Sequence, residues 1–440
     1  MPAIITKQFR INNAANLLAE SNLYVGVGKS DSWGVNDSTW SVVPSDTDKT
    51  VTEALLNLVA LKKIDPDGKS HLIPRIDFIS GSYYKQWDSS DDTCLIGSTD
   101  GSLSVKPCYS INNNRVYKCI RAPRNSSGVR LPAQNAPTGG TDPGDVVTSA
   151  DNYIWVYMYS ILAGATFNTR EFIEVPVSNV GTLATDGKIY GYRIVNGGTG
   201  YSSPTLTVDG NGTGATLVAV VSGGQIVAVS TIVEGSGYTN ARVVVTGGGG
   251  TGAVIEPIVS PLNGHGSKPV EELGGFYAGF AVDFAGSEDA DLPVTNDFRQ
   301  ITLIRGISAL DVDSTSGYAS GLKKLTLTGL TGSITPDMII EHNVTGGAKA
   351  FIDHVDVNDV YYHQNYSTLV NFKDFADGDN LIFRTSTGIL VGGASATVDS
   401  IDSDYPEIDK LDCQVLFLED RRPIARNASQ TEEIKLIVQF

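Results

Sequence analysis

The clearest alternation of apolar and polar positions stands at the end of the chain. Ile434, Leu436, Val438 and Phe440 recur at every second position, with Glu433, Lys435 and Gln439 between them. That period predicts a strand with one buried face. Just upstream, Cys413 to Leu418 is apolar on both faces and predicts another strand, with Arg421, Arg422, Pro423, Asn427 and Ser429 expected as the connection. The stretches 72–79, 116–122, 172–177, 274–284 and 298–305 read as further strands. Tyr153, Trp155, Tyr157 and Tyr159 alternate with Ile154, Val156 and Met158, so that strand is expected to be buried on both faces.

Helical spacing is rarer. Ile4 to Phe9 is expected to start a strand and Asn13 to cap a short helix over 14–20. Thr50 with Glu53 predicts a capping box, followed by Ala54, Leu55, Leu58, Val59 and Leu61 at helical spacing until Pro66 and Gly68. The loop 123–144 is rich in Pro, Gly and Asn, and is expected to cover a surface or touch a neighbour.

Two internal repeats interrupt this pattern. Gly198-Thr199-Gly200-Tyr201 returns as Gly235-Ser236-Gly237-Tyr238, and Gly212-Thr213-Gly214-Ala215 as Gly250-Thr251-Gly252-Ala253. Each unit is expected to be a small β-meander, two of which bury one shared face. Farther on, Gly346-Gly347-Ala348-Lys349-Ala350 returns as Gly392-Gly393-Ala394-Ser395-Ala396. Each is followed by an apolar strand, carrying Asp353 and Asp356 or Asp399 and Asp402. The expected architecture is mainly β: a multi-domain, β-sandwich-like body with two short helices and two inserted β-modules. The body is discontinuous, over 1–185, 263–310 and 410–440; a Gly-rich repeat module occupies 186–262 and a second β-module 311–409.

Composition sharpens the class. The 440 residues hold 47 glycines, and 41% are hydrophobic, enough for more than one core in a β-rich chain. A net charge of −17 argues against nucleic acid as the main partner, since phosphate binding needs a concentrated basic surface. Cys94, Cys108, Cys119 and Cys413 form no Cys-x-x-Cys pair and are expected as free buried thiols. Met1 to Asn13 lacks the apolar core of a secretory signal, and no apolar run is long enough to span a bilayer, so cytoplasmic synthesis without membrane insertion is expected.

The search for chemistry returns no catalytic, cofactor-binding or metal residues. Gly26-Val27-Gly28-Lys29-Ser30 has Leu23 where a phosphate loop needs its first glycine, and no strong helix follows. Gly198 to Tyr201 precedes strands, so it is no dinucleotide fingerprint. His71, His265, His342, His354 and His363 show no metal-ligand spacing. Asp311 with Asp313 and Asp402 with Asp404 lack the ligand rhythm of a calcium loop. No Gly-x-Ser-x-Gly elbow is present. Trp33, Trp40, Tyr83, Tyr84 and Trp87 are candidates for sugar stacking, with packing in the body as the alternative.

Several blocks resemble a known family. They are Tyr24 to Trp33 (YVGVGKSDSW), Ile73 to Asp77 (IPRID), Val116 to Cys119 (VYKC), Pro143 to Asp145 (PGD), Tyr153 to Tyr157 (YIWVY), Phe298 to Ile301 (FRQI), Glu419 to Pro423 (EDRRP) and Gln430 to Ile434 (QTEEI). In this order they resemble the baseplate wedge subunit of T-even-type contractile-tailed bacteriophages, the gene-product-eight family. The two repeat modules have no counterpart there. The resemblance implies a non-enzymatic structural protein of the virion tail baseplate, assembled in the host cytoplasm. It further implies a homodimer that contacts other baseplate wedge proteins and rearranges with them as the sheath contracts. Contact of the inserted modules with the host surface stays open, and the alternative expectation is a carbohydrate-binding tail module. In the repeats Tyr201, Tyr238, Tyr318, Tyr361 and Tyr362 would supply the sugar-stacking aromatics. A cell-envelope hydrolase, with two acidic residues facing a cleft, is a third expectation.

Overall fold

The computed structural model describes residues 4–34, 37–39, 43–100, 103–179, 187–285, 296–307, 317–424 and 430–440. The protein is mainly β and contains, among these residues, three short α-helices, Lys7–Ala19, Asp48–Leu56 and Pro269–Leu273. Packing divides it into two compact units, residues 1–18 with 70–279 and 438–440, and residues 19–69 with 280–437. The repeats at 186–262 fall in the first unit and those at 311–409 in the second. Trp40, Asp311, Asp313, Asn427 and Ser429 lie outside the described residues.

In the second unit a five-stranded sheet takes the strands Tyr318–Ser320, Leu58–Lys63, Leu23–Gly28, Phe298–Arg305 and Gln414–Ile424 in that order. Leu23–Gly28 is buried at every position, as a strand with both faces covered must be. Here two expectations need correcting. The second helix stops at Leu56, and Leu58 to Lys63 is a strand, because its short apolar run pairs with Leu23–Gly28 and is buried on both faces. Its cap is Thr47, whose side chain accepts from Thr50 N–H, rather than Thr50 itself. The strand near the C-terminus also runs on through Arg421 to Pro423, and Leu416 on it is 39% exposed, so it is not apolar-buried on both faces.

The second repeat closes into a six-stranded barrel. Its order is Lys323–Thr331, Asp359–His363, Lys349–Asp356, Ile339–His342, Asn380–Arg384 and Leu390–Asp402. Exchanging the first three strands in sequence for the last three reproduces every pairing, so the barrel has an internal two-fold. Both alanines of each Gly-Gly-Ala-x-Ala motif, Ala348 and Ala350 or Ala394 and Ala396, lie in the barrel core against Phe375, Phe383 and Tyr362. Small residues opposite large ones are what a narrow barrel interior requires.

In the first unit the strands Tyr109–Asn112, Arg115–Arg121, Ile154–Ser160 and Val146–Thr148 form one sheet. Ile154 to Tyr159 is buried throughout, with Ile154, Val156 and Met158 in one cluster and Trp155 and Tyr157 in another. The loop 123–144 lies along this strand: Tyr117 Oη donates to Gly139 O at 2.8 Å, Tyr153 Oη to Leu131 O at 2.6 Å, and Gly144 N–H to Tyr157 O at 2.9 Å. The N-terminal segment departs from expectation. Residues 7–19 form one helix where a strand over 4–9 was predicted, because only Ile11 and Ala14 need burial and helical geometry supplies that narrow stripe.

The first repeat pairs across its two halves. Ile189–Thr199 pairs with Thr251–Val259, Thr205–Gly210 with Ala241–Thr246, and Thr213–Ser222 with Gln225–Ser236. The expected meanders are therefore corrected to a nested two-fold in which each half supplies the other's partner strands. The joint is reciprocal. A Cβ on Gly250 would lie 2.3 Å from the Tyr201 ring, and one on Gly212 2.4 Å from the Tyr238 ring. Each tyrosine thus packs on bare backbone of the opposite half, and Gly250→Ala is expected to cost about 1–3 kcal/mol by overpacking. An unchanged urea midpoint would contradict this packing.

Phe172–Glu174 pairs with Lys69–Pro74, Ile173 opposite Ile73, and Thr431–Gln439 is a nine-residue strand. Of the four alternating residues predicted to face in, Ile434 and Leu436 are buried, while Val438 and Phe440 are half-buried. No described helix is long and apolar enough to cross a membrane.

Candidate functional site

The densest polar cluster grows out of the Gly-Val-Gly-Lys-Ser stretch. Gly28 ends its strand so close to the next one that a Cβ would sit 2.6 Å from Asn57 O. Close strand packing, not a phosphate, therefore explains this glycine. Lys29 then adopts a left-handed φ of 60°, its N–H donating to Asn57 O at 3.0 Å, and turns its ammonium inward onto Asp31 Oδ2 at 2.5 Å. Ser30 donates its hydroxyl to Asp353 on the barrel strand Lys349–Asp356.

His363, on the neighbouring barrel strand, completes the arrangement. Its Nδ1 lies 2.8 Å from Asp353 Oδ2 and its Nε2 3.4 Å from Asp31 Oδ1. Burial opposes its charge, but the two carboxylates prevail and push the imidazole up to about 9. Asp31 moves the other way, to about 2, since the His363 and Lys29 contacts outweigh its burial. Asn365 donates to Asp31 at 3.1 Å and to Asn57 Oδ1 at 2.8 Å. Arg299 grips Asp37 through Nε at 2.8 Å and Nη2 at 2.9 Å, and also donates to Ser30 O. Trp33 donates to Arg421 O at 2.9 Å.

This constellation contains a serine, a histidine and aspartates, yet it is not arranged for nucleophilic catalysis. The hydroxyl touches Asp353 rather than the imidazole, and both ring nitrogens face carboxylates. A nucleophile needs a base within reach and an open face. What the geometry does is fasten the end of the strand Leu23–Gly28 to the barrel through buried, charge-assisted hydrogen bonds.

A second buried cluster lies in the first unit. Lys118, fully buried on the strand Arg115–Arg121, pairs with Glu272 of the helix Pro269–Leu273. Its ammonium stands 4.6 Å over the Trp87 ring. Glu272 Oε1 also accepts from Gly266 N–H at 2.8 Å and Lys268 N–H at 3.2 Å, so it caps its own helix. Burial pulls Lys118 down to about 7 and His265, edge-on to Trp87, well below its ordinary range. Glu272→Gln leaves the buried Lys118 without its carboxylate and is expected to cost about 3 kcal/mol, read from the urea midpoint at pH 7.

The residues singled out by sequence are dispersed. His71 Nδ1 meets Gly275 O at 3.1 Å and His342 meets Asp379 at 3.2 Å, whereas His354 stacks obliquely on Tyr361. Asp402 shares Lys324 with Asp359, and Asp404 N–H caps back onto Asp402. Tyr84, Trp87, Tyr201, Tyr238 and Tyr362 are buried, which removes them as an exposed sugar-stacking stripe. Among the described residues no group of three or more His, Cys, Asp or Glu is placed to hold a metal ion. Sequence reasoning missed the joining of Asp31, Asp353 and His363; the only local signal was a charged Lys-Ser-Asp triplet immediately after an apolar strand.

A scan against models of known protein families finds none that matches the chain, and a search of curated protein sequences finds no match either.

Proposed function

We propose that the chain is a structural subunit of a contractile-tail baseplate wedge, acting as a homodimer that links other wedge proteins and shifts with them as the sheath contracts. The observation supporting this reading is where the blocks resembling that family lie. Tyr24 to Trp33, Phe298 to Ile301 and Glu419 to Pro423 are adjacent in one sheet, with Val27 opposite Ile301 and Ile301 opposite Glu419. Val116 to Cys119, Pro143 to Asp145 and Tyr153 to Tyr157 form a second group, in which Trp155 faces Cys119 and Tyr157 N–H donates to Asp145 O at 2.9 Å.

These blocks lie in paired strands and the turns beside them. Their reactive groups, Lys29, Ser30, Asp31 and Lys118, are engaged in buried contacts, which suits a protein that works by holding surfaces. The loop 123–144 turns its inner side to its own unit and its exposed Val129 and Leu131 outward, and we assign partner contact to that rim. Light scattering after size exclusion tests the dimer: two copies are expected at micromolar concentration, with Val129→Asp plus Leu131→Asp weakening association. A stable monomer would count against the reading, as would a tail reconstruction by electron microscopy lacking this fold in the baseplate.

A further inference from the structure

We propose that Cys94 and Cys108 form a reversible disulfide site, closed by exchange with a small-molecule disulfide. Three thiols sit on neighbouring segments joined by backbone hydrogen bonds. Cys108 N–H donates to Cys94 O at 2.8 Å, and Cys119 N–H donates to Cys108 O at 2.7 Å. Only two of them share a face. Cys94 and Cys108 belong to the apolar cluster of Trp87 and Ile258, whereas Cys119 belongs to that of Tyr84, Tyr117 and Trp155. The Cys94 and Cys108 side chains therefore meet in one apolar cluster, joined at the backbone.

The same contact divides the roles. The hydrogen bond from Cys108 holds Cys94 below the usual thiol range, while burial pushes Cys108 well above it. Cys94 is therefore the attacking thiolate and Cys108 the resolving thiol. Cys94 sulfur bonds to one sulfur of the small disulfide, whose S–S bond breaks and releases one thiolate. Cys108 gives up its proton to that thiolate, and its sulfur then attacks Cys94, breaking the mixed disulfide and releasing the second small molecule as a thiolate that takes a proton from water. Two protein thiols are oxidised to one disulfide, and one small disulfide is reduced to two thiols.

Access comes through the turn that carries Cys94. The thiol is buried, but its short helical turn Asp92–Leu95 is flanked by exposed Ser89, Ser90 and Ile96, and is tied down by Lys85 Nζ to Thr93 O at 2.6 Å. Local opening there frees Cys94 without unfolding the sheet. Closing the bond would fix this turn to the start of the strand Tyr109–Asn112.

The test incubates the full chain with oxidised glutathione, with and without urea below its unfolding midpoint, then counts thiols after denaturation. The free thiols are expected to fall from four to two, with a Cys94–Cys108 linked peptide that dithiothreitol releases. Cys119→Ser is expected to form the same link, and Cys108→Ser to trap glutathione on Cys94. Four free thiols under urea conditions in which iodoacetamide labels Cys94, a Cys108–Cys119 link, or stable glutathione adducts on the unaltered chain would each overturn the proposal.

Discussion

Removing residues 431–440 is expected to leave a chain without a cooperative unfolding transition. Ile434 and Leu436 are 7% and 3% exposed, and burying two such side chains contributes about 3–6 kcal/mol. Half-buried Val438 and Phe440 add to that. Phe440 N–H also donates to Phe276 O at 3.0 Å, a bond that the deletion removes. Against a total stability of about 5–15 kcal/mol, this loss is a large part of the margin. Leu436→Ala provides a graded version, with an expected cost of about 2–5 kcal/mol by urea titration. A truncated chain that stays soluble and melts at the full-length midpoint would show that the strand is dispensable.

The strand elements were legible wherever both periodicity and length agreed. Phe298 to Arg305 and Arg115 to Arg121 carry enough β-branched and aromatic residues to be read directly. Leu58 to Lys63 was not, because four apolar residues in a row fit a buried strand and a helix equally, and pairing with Leu23–Gly28 decided between them. Pro269–Leu273 carried its signals, a proline at its first turn and Gly274 in the left-handed region after it, but five residues leave no periodicity to detect. Both repeats were visible as repeats. That the strands of the first pair only across its halves was not, since identical motifs satisfy either pairing and the packing of Tyr201 on Gly250 and of Tyr238 on Gly212 goes with the crossed one. The cluster of Asp31, Asp353 and His363 was hidden for a related reason: no spacing rule joins residues brought together only by the fold.

That cluster yields the other large effect. Asp353→Ala is expected to destabilise the protein by about 3–5 kcal/mol, because it strips the buried His363 imidazolium of its nearer carboxylate and the Ser30 hydroxyl of its acceptor. Exposure decides the comparison: Asp374, 79% exposed and paired with Lys323, is expected to cost no more than about 1 kcal/mol on the same change. The pH dependence follows from the signs. His363 titrates near 9 in the folded chain against 6.5 ordinarily, so its contribution is complete below pH 6.5 and is lost as pH rises through 9. Asp31, held at about 2, contributes fully above its ordinary 3.8 and loses that contribution as pH falls through 2. Lys410, pulled down to about 7 by burial, acts in the opposite direction to His363, adding stability as pH rises from 7 towards 10.5. The total curve therefore mixes opposing slopes, and the difference between the unaltered chain and His363→Gln isolates the imidazole. That difference is expected to be largest between pH 4 and 6.5 and to close as pH passes 9. A difference that stays constant from pH 6 to 10 would mean that His363 is neutral between its two aspartates, and the fastening of strand to barrel would then rest on neutral hydrogen bonds alone.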